Sequence, residues 1–165
     1  MAIIYMLCGK VGSGKSTYAQ TLKERHQAMI LSCDDLMLSL FEEELGDQHQ
    51  HILRKSTAYL YHLAEELISI GVNVVLDFGY WSREERIEVR RHFLSKRITT
   101  ELHYINTPDI QIQQQLHRRN QDITNGQSTV YHIDDEMRQY FDSKFDEPTE
   151  EEIAVRINYI DKLYR

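Results

Sequence analysis

Long apolar runs are missing from this chain of 165 residues. None approaches the ~20 consecutive apolar residues of a membrane span, and the apolar start lasts only about six residues before a glycine-rich turn, which is not the pattern of a secretory leader. Cysteine is scarce too: Cys8 and Cys33 are the only two. Each closes an apolar run that reads as a strand, so we expect reduced thiols packed as small hydrophobes rather than a disulfide. An excess of basic residues is also absent. Lysine and arginine number 19 against 26 aspartates and glutamates, for a net charge of −7. The acid lies mostly at one end, since residues 1–120 hold 14 basic and 15 acidic side chains while residues 121–165 hold 5 and 11. Such a balance lacks the broad basic footprint of a protein that tracks a nucleic-acid backbone, and it argues against extended nucleic acid as a partner. With no repeat, linker or low-complexity tract, we expect one domain over 1–165, cytoplasmic and not associated with membrane.

What is present is concentrated in residues 9–16, Gly-Lys-Val-Gly-Ser-Gly-Lys-Ser, a complete GxxxxGKS loop placed directly after the apolar run Ile3–Cys8. Gly9, Gly12 and Gly14 let the backbone fold so that its N–H groups, with that of Ser13, point inward at phosphate oxygens. A helix starting near Lys15 adds its positive dipole end. Lys15 is placed to reach the β- and γ-phosphates and the Ser16 hydroxyl to ligate Mg2+, with Thr17 as a reserve hydroxyl. The strand before and the helical stretch Thr17–His26 after supply the context that such a loop requires.

Along the chain, apolar runs at Ile3–Cys8, Ala28–Leu31, Val72–Leu76, Leu102–Ile105 and Ile153–Ile160 read as strands, and the segments between them carry apolar residues at three and four spacing. This alternation predicts an α/β fold whose mainly parallel sheet is covered by helices on both faces, with ligands at the carboxyl ends of the strands. Ser82 before Arg83-Glu84-Glu85 reads as a capping box, Pro108 opens a helix, and Gly71 closes a long one from about Gln50. His49 and His51 would diverge by about 200° on a helix, a poor pair for metal, so no zinc is assigned. Arg83, Arg90 and Arg91 lie beside Glu84, Glu85 and Glu88 as a solvated, ion-paired face; Arg86 is set apart from it.

Two aspartates, Asp34 and Asp35, follow the second strand and should project toward the phosphate loop. We read Asp34 as the general base of a phosphoryl transfer and Asp35 as the cap of a helix beginning at Leu36. Asp77 ends the third strand in the manner of a Walker B acid, placed either to hold Mg2+ or to hydrogen-bond an acceptor. Arg118 and Arg119 close a helix from about Asp109, and the polar stretch that follows, approximately 120–131, reads as a short lid. Either arginine could neutralise charge on a transferred phosphoryl group or simply compensate the helix dipole.

The segments GKVGSGKST, SCDD, VVLDFGYWSREER and LHRRN together resemble the small P-loop kinases related to polynucleotide kinase, chloramphenicol phosphotransferase and zeta toxin. The resemblance covers most of the chain. It implies a three-layer, nucleotide-kinase-like fold with a five-stranded parallel sheet and a short lid, ATP with Mg2+ as donor, and Asp34 as base. It places Lys15 and Ser16 on the donor phosphates and metal, Asp77 on the substrate side or the metal, Arg119 on the nucleotide, and Arg86 at a position where such kinases carry a basic residue facing the substrate. Met37 stands where polynucleotide kinases have an acceptor-binding arginine. Ile123 stands where a second lid arginine is expected, which leaves Arg118 as its substitute.

These features predict an ATP-dependent kinase that phosphorylates a hydroxyl of a small molecule held between Leu36 and Tyr61 together with Tyr80, Trp81 and Arg83. Two alternatives stay open: a kinase of nucleic-acid 5′ ends, and a regulatory NTPase with no phosphoryl acceptor. An NKxD guanine-recognition tetrapeptide is missing, which argues against a GTPase.

Overall fold

Five parallel strands form the centre of the protein, which a computed structural model describes over residues 1–41, 46–126 and 130–158. In chain order the elements are β1 (Ile4–Cys8), α1 (Lys15–His26), β2 (Met29–Ser32), α2 (Cys33–Leu40), α3 (His49–Ser69), β3 (Val74–Gly79), α4 (Arg83–Ser95), β4 (Thr100–Asn106), α5 (Asp109–Thr124), α6 (Asp135–Ser143) and β5 (Val155–Asn158). The strand order is β2-β3-β1-β4-β5, and every pairing is parallel. Because β1 is central and helices cover both faces, all five of its residues are buried, and it reads as a continuous apolar run rather than an alternating one.

The side chains of β1 divide by parity. Ile4, Met6 and Cys8 join Val74, Leu76 and Leu102 in a core roofed by Met37 of α2, Leu60 and Ala64 of α3, and Val89 and Phe93 of α4. Tyr5 and Leu7 join Val75, Ile105 and Ile157 under Tyr18, Ala19 and Leu22 of α1. A third cluster, Ile112, Leu116 and Ile133 with Val11, Tyr131 and Phe141, packs α5 and the residues before and within α6 against the glycine loop. No helix among the described residues is long and apolar enough to cross a membrane.

One irregularity positions the chemistry. Met6 and Cys8 of β1 pair with Leu76 and Gly79 of β3, so β3 carries one residue more than β1 across that interval. A bulge of this kind bends a strand end and re-aims a side chain; here it involves Asp77, whose partner on the other side is Ser32 of β2.

Several boundaries differ from the sequence reading. Cys33 does not close a strand but opens α2, and the helix therefore starts three residues before Leu36. Its N-cap is Ser32, whose hydroxyl accepts from the Asp35 N–H at 3.2 Å, so the capping role assigned to Asp35 belongs to Ser32. The helix from Asp109 continues to Thr124, and the first residues of the expected lid are helical; residues 127–129 of that lid lie outside the described residues. A separate helix, α6, follows it, capped by the Asp134 carboxylate accepting from Met137 N–H at 2.8 Å. The capping box at Ser82 and Glu85 is present as expected. The last strand is described to Asn158 only, and the expected residues 159 and 160 lie outside the described residues.

Candidate active site

The loop between β1 and α1 is held both by its neighbours and by its own lysines. Gly12 has φ +76°, and a Cβ there would stand 2.6 Å from Leu116 Cγ, so both backbone conformation and packing demand glycine. Gly14 caps α1 in the left-handed region at φ 92°. Thr107 donates its hydroxyl to the carbonyl of the buried Ser13 at 2.8 Å, and Lys10 pairs with Asp109 at 2.9 Å, tying the loop to the start of α5. Thr107 and Asp109 carried no distinctive sequence signal beyond flanking Pro108, and the sequence reading passed over them.

Lys15 spans this loop, donating to the carbonyls of Gly9 at 2.9 Å and Lys10 at 2.8 Å. Burial lowers its ammonium pKa, while Asp77, Cys8 and Asp34 act in the opposite sense. Ser16 donates its hydroxyl to Asp77 Oδ2 at 2.7 Å, so the last residue of the loop and the bulged end of β3 meet directly. Two hard oxygen donors side by side at the mouth of a phosphate cradle suit a nucleotide-bound divalent cation. Thr17 is exposed one residue further along α1.

Across from them, Asp34 sits in the first turn of α2, still exposed to solvent. Its carboxyl is raised above the ordinary value first by burial of its surroundings and then by the charge of Asp77, with Lys15 and Arg119 pulling it back. Asp77 is raised chiefly by burial, opposed by the Ser16 hydrogen bond and by Lys15. The half-buried Arg119 completes the group: it feels Asp34, its guanidinium is lowered by burial, and it donates to Tyr131 O at 2.8 Å. Beside it Asn120 holds the backbone of Ile133 from both sides, at 2.6 and 3.2 Å, so the end of α5 grips the chain that leads into α6.

The structure thus gathers Lys15, Ser16, Asp34, Asp77 and Arg119 at the carboxyl ends of β1, β2 and β3. It leaves out two residues of the sequence reading. Arg118 is exposed on the other side of α5 from the buried Ile112 and Leu116. Arg86 does not face a substrate: its side chain is fully buried, paired with Glu152 at 2.9 Å and bonded to the carbonyls of Tyr80, Trp81 and Asp146. Two cavities, of about 380 Å³ between α1 and β5 and about 590 Å³ beside His117 and Asn120 near the end of α5, lie away from Asp34.

A family described as AAA domain matches residues 4–143. The chain belongs to this AAA-domain family. No curated protein matches it in sequence. Among solved structures, this AAA domain is similar to the APS kinase CysC of Mycobacterium tuberculosis in complex with AMPPNP and APS, at 21% identity and TM-score 0.66, covering 99% of this chain and 98% of that one. It is similar to Kti12 of Chaetomium thermophilum in complex with ADP-AlF3, at 13% identity and TM-score 0.69 over 98% and 97% of the two chains. A gluconokinase from Sinorhizobium meliloti 1021 matches at 16% identity and TM-score 0.62, over 95% and 82%. The AAA domain therefore has the three-layer P-loop architecture of the APS kinase and the gluconokinase, with five parallel strands between helices.

Proposed function

We propose that the protein is an ATP-dependent kinase that transfers the γ-phosphate to a hydroxyl of a small molecule. The observation that carries this reading is the placement of Asp34: a solvent-accessible carboxylate at the end of β2, within electrostatic reach of Lys15, Asp77 and Arg119. A regulatory NTPase has no need of a second carboxylate facing the phosphate loop beside Asp77.

In this reading Lys15 leaves the Gly9 and Lys10 carbonyls for the β- and γ-phosphates, and the loop N–H groups hold the remaining oxygens. Ser16 and Asp77 would hold Mg2+, whose charge neutralises the phosphates when bound. Among the described residues no group of three or more His, Cys, Asp or Glu side chains could hold a metal alone, so the ion would share its coordination with the nucleotide. Asp34 orients the acceptor hydroxyl and takes its proton as the new P–O bond forms; Arg119 offsets charge on the transferred group. The chain from Tyr131 to Ile133, gripped by Arg119 and Asn120, would form the inner side of a lid that excludes water. Support for a small acceptor comes from the acidic balance of the chain and from the kinases of small molecules among its structural neighbours.

The test is incubation with Mg-ATP and a panel of nucleosides, sugars, aminoglycosides and nucleic-acid 5′ ends, following labelled γ-phosphate. Transfer to one small-molecule class supports the proposal; preferential labelling of nucleic-acid ends would replace it.

A further inference from the structure

We propose that Arg86, locked by Glu152, is a positioning residue for the phosphate loop: it holds a left-handed turn after β3 that sets Asp77 against Ser16. This rests on the kinase reading above, which gives Ser16 and Asp77 to a nucleotide-bound Mg2+.

Two residues past Asp77 the chain passes through positive φ twice in succession, at Gly79 (88°) and Tyr80 (47°). Glycine takes this conformation freely, but a tyrosine keeps it only where its surroundings hold it there. Among the described residues the other non-glycine positions with positive φ are Gln27 and Arg97, both exposed and at the ends of α1 and α4, a usual place for such a residue. Tyr80 is 4% exposed and ends no helix. Its ring stacks on Phe78 at 5.7 Å, and its hydroxyl meets that of Tyr61 at 3.4 Å.

The carbonyls of the turn are held from α4. Arg86 Nη1 donates to Tyr80 O and Trp81 O, each at 3.3 Å, and to Asp146 O at 2.9 Å, while Nε and Nη2 donate to Glu152 at 2.9 and 3.3 Å. A planar fork with all three nitrogens engaged cannot swing. Bonds to Glu152 and Asp146 would suffice to fasten the segment before β5; those to Tyr80 and Trp81 carry the same rigidity into the turn. Cys8 Sγ donates to the Tyr80 carbonyl from the other side, at 3.4 Å.

The turn also touches the phosphate loop. Gly79 O accepts from the N–H of Gly9, the first residue of the loop, at 3.4 Å, and Gly79 is aligned with Cys8 where β3 carries its extra residue. Asp77 lies in that interval and accepts from the Ser16 hydroxyl at 2.7 Å. From Glu152 the path runs through the guanidinium, the turn carbonyls and the bulged strand end to Asp77. Partners that orient a metal-holding carboxylate govern metal affinity without touching the ion.

The test is calorimetric titration of AMPPNP into wild-type protein, Arg86→Lys, Asp77→Asn and the double variant, each with Mg2+ and with EDTA, and with no acceptor present. Lysine keeps the charge beside Glu152 and loses the fork. Arg86→Lys should lose at least about tenfold of the tightening that Mg2+ gives, with affinity in EDTA within about twofold of wild type. The double variant should lose no more than Asp77→Asn alone, since both changes act through one carboxylate. Emission of Trp81, the only tryptophan, should shift in Arg86→Lys, because its carbonyl is among those released. Wild-type binding that ignores Mg2+, undiminished tightening in Arg86→Lys, losses that add in the double variant, or an unchanged Trp81 spectrum overturns the proposal. Should Arg86→Lys fail to fold by circular dichroism, Glu152→Gln, which keeps an acceptor oxygen and drops the charge, is read against the same outcomes. Acceptors bear only on the kinase reading: lost tightening in Arg86→Lys with no acceptor ever labelled keeps this assignment and removes that reading, and a labelled acceptor with undiminished tightening does the reverse.

Discussion

Arg119 and its neighbour Arg118 differ in sequence by one position and in the structure by their surroundings. The first donates to Tyr131 O and feels the charge of Asp34; the second is exposed. Arg119→Ala should therefore lower kcat by about a thousandfold, as loss of a charge-neutralising arginine does, while Arg118→Ala changes stability by no more than about 0.5 kcal/mol and leaves kcat near wild type. Steady-state kinetics on the two variants decides between them. Asp34 makes a pH-dependent prediction. Because burial and Asp77 raise its carboxyl above the ordinary 3.8, the base is lost on an acid limb displaced upward from the usual carboxylate range. The stability consequence has the opposite sign: the folded state holds this proton more tightly than the unfolded one, so the contribution is present at low pH and is lost as pH rises through the folded pKa. Asp34→Asn should thus reduce transfer by about 10²–10⁴-fold without lowering Tm. Lys15, Ser16, Asp34, Asp77 and Arg119 could be singled out in the sequence because the loop and both acids follow apolar runs and the arginine precedes a polar stretch, and the structure sets them beside one another; their roles are the proposal made above. Arg86 was misread because sequence shows a basic residue after the third strand but not the Glu152 that consumes it from 66 positions away.

Among the elements, β1 and β3 were the most readable, since each begins as an unbroken apolar run, whereas β5, Val155-Arg156-Ile157-Asn158, is not one and starts two residues after the expected Ile153. The start of α2 was not readable, because its cap, Ser32, is also the last residue of β2, and Cys33 reads as a continuation of the apolar run. The helix α6 carries a clear cap, Asp134 followed by Asp135-Glu136, but its nine residues include none that is buried, so no apolar periodicity marked it and the sequence reading assigned it to no element. The Arg86–Glu152 pair clamps the segment before β5 onto the start of α4, reinforced by Arg90 donating to Glu152 O and by Asp146 N–H donating to Trp81 O at 2.8 Å. Burial alone would raise the Glu152 carboxyl, yet Arg86 and Thr149 outweigh it and bring the pKa down to about 2. That stabilisation is complete above the unfolded value of 4.5 and is lost as pH falls toward about 2. Glu152→Ala, which strands a buried guanidinium, should cost about 3 kcal/mol in urea denaturation. An unchanged midpoint would show that the pair does not clamp the segment.

For the molecule as a whole, the parallel order β2-β3-β1-β4-β5 brings the ends of three strands that are distant in sequence to one edge, and the register of Ser32 with Asp77 sets Asp34 opposite the phosphate loop. Sequence pattern alone supplies the alternation of strands and helices; the order of the strands, and hence which acids meet, is set by packing between elements that no local signal records. The central claim, that Asp34 serves an acceptor and not only the nucleotide, is tested by the fate of the γ-phosphate. With Mg-ATP and a reacting acceptor, wild-type protein should place the label on the acceptor, and Asp34→Asn should lose that transfer while still binding Mg-AMPPNP with unchanged affinity. Phosphate release that ignores every acceptor and survives Asp34→Asn would contradict it.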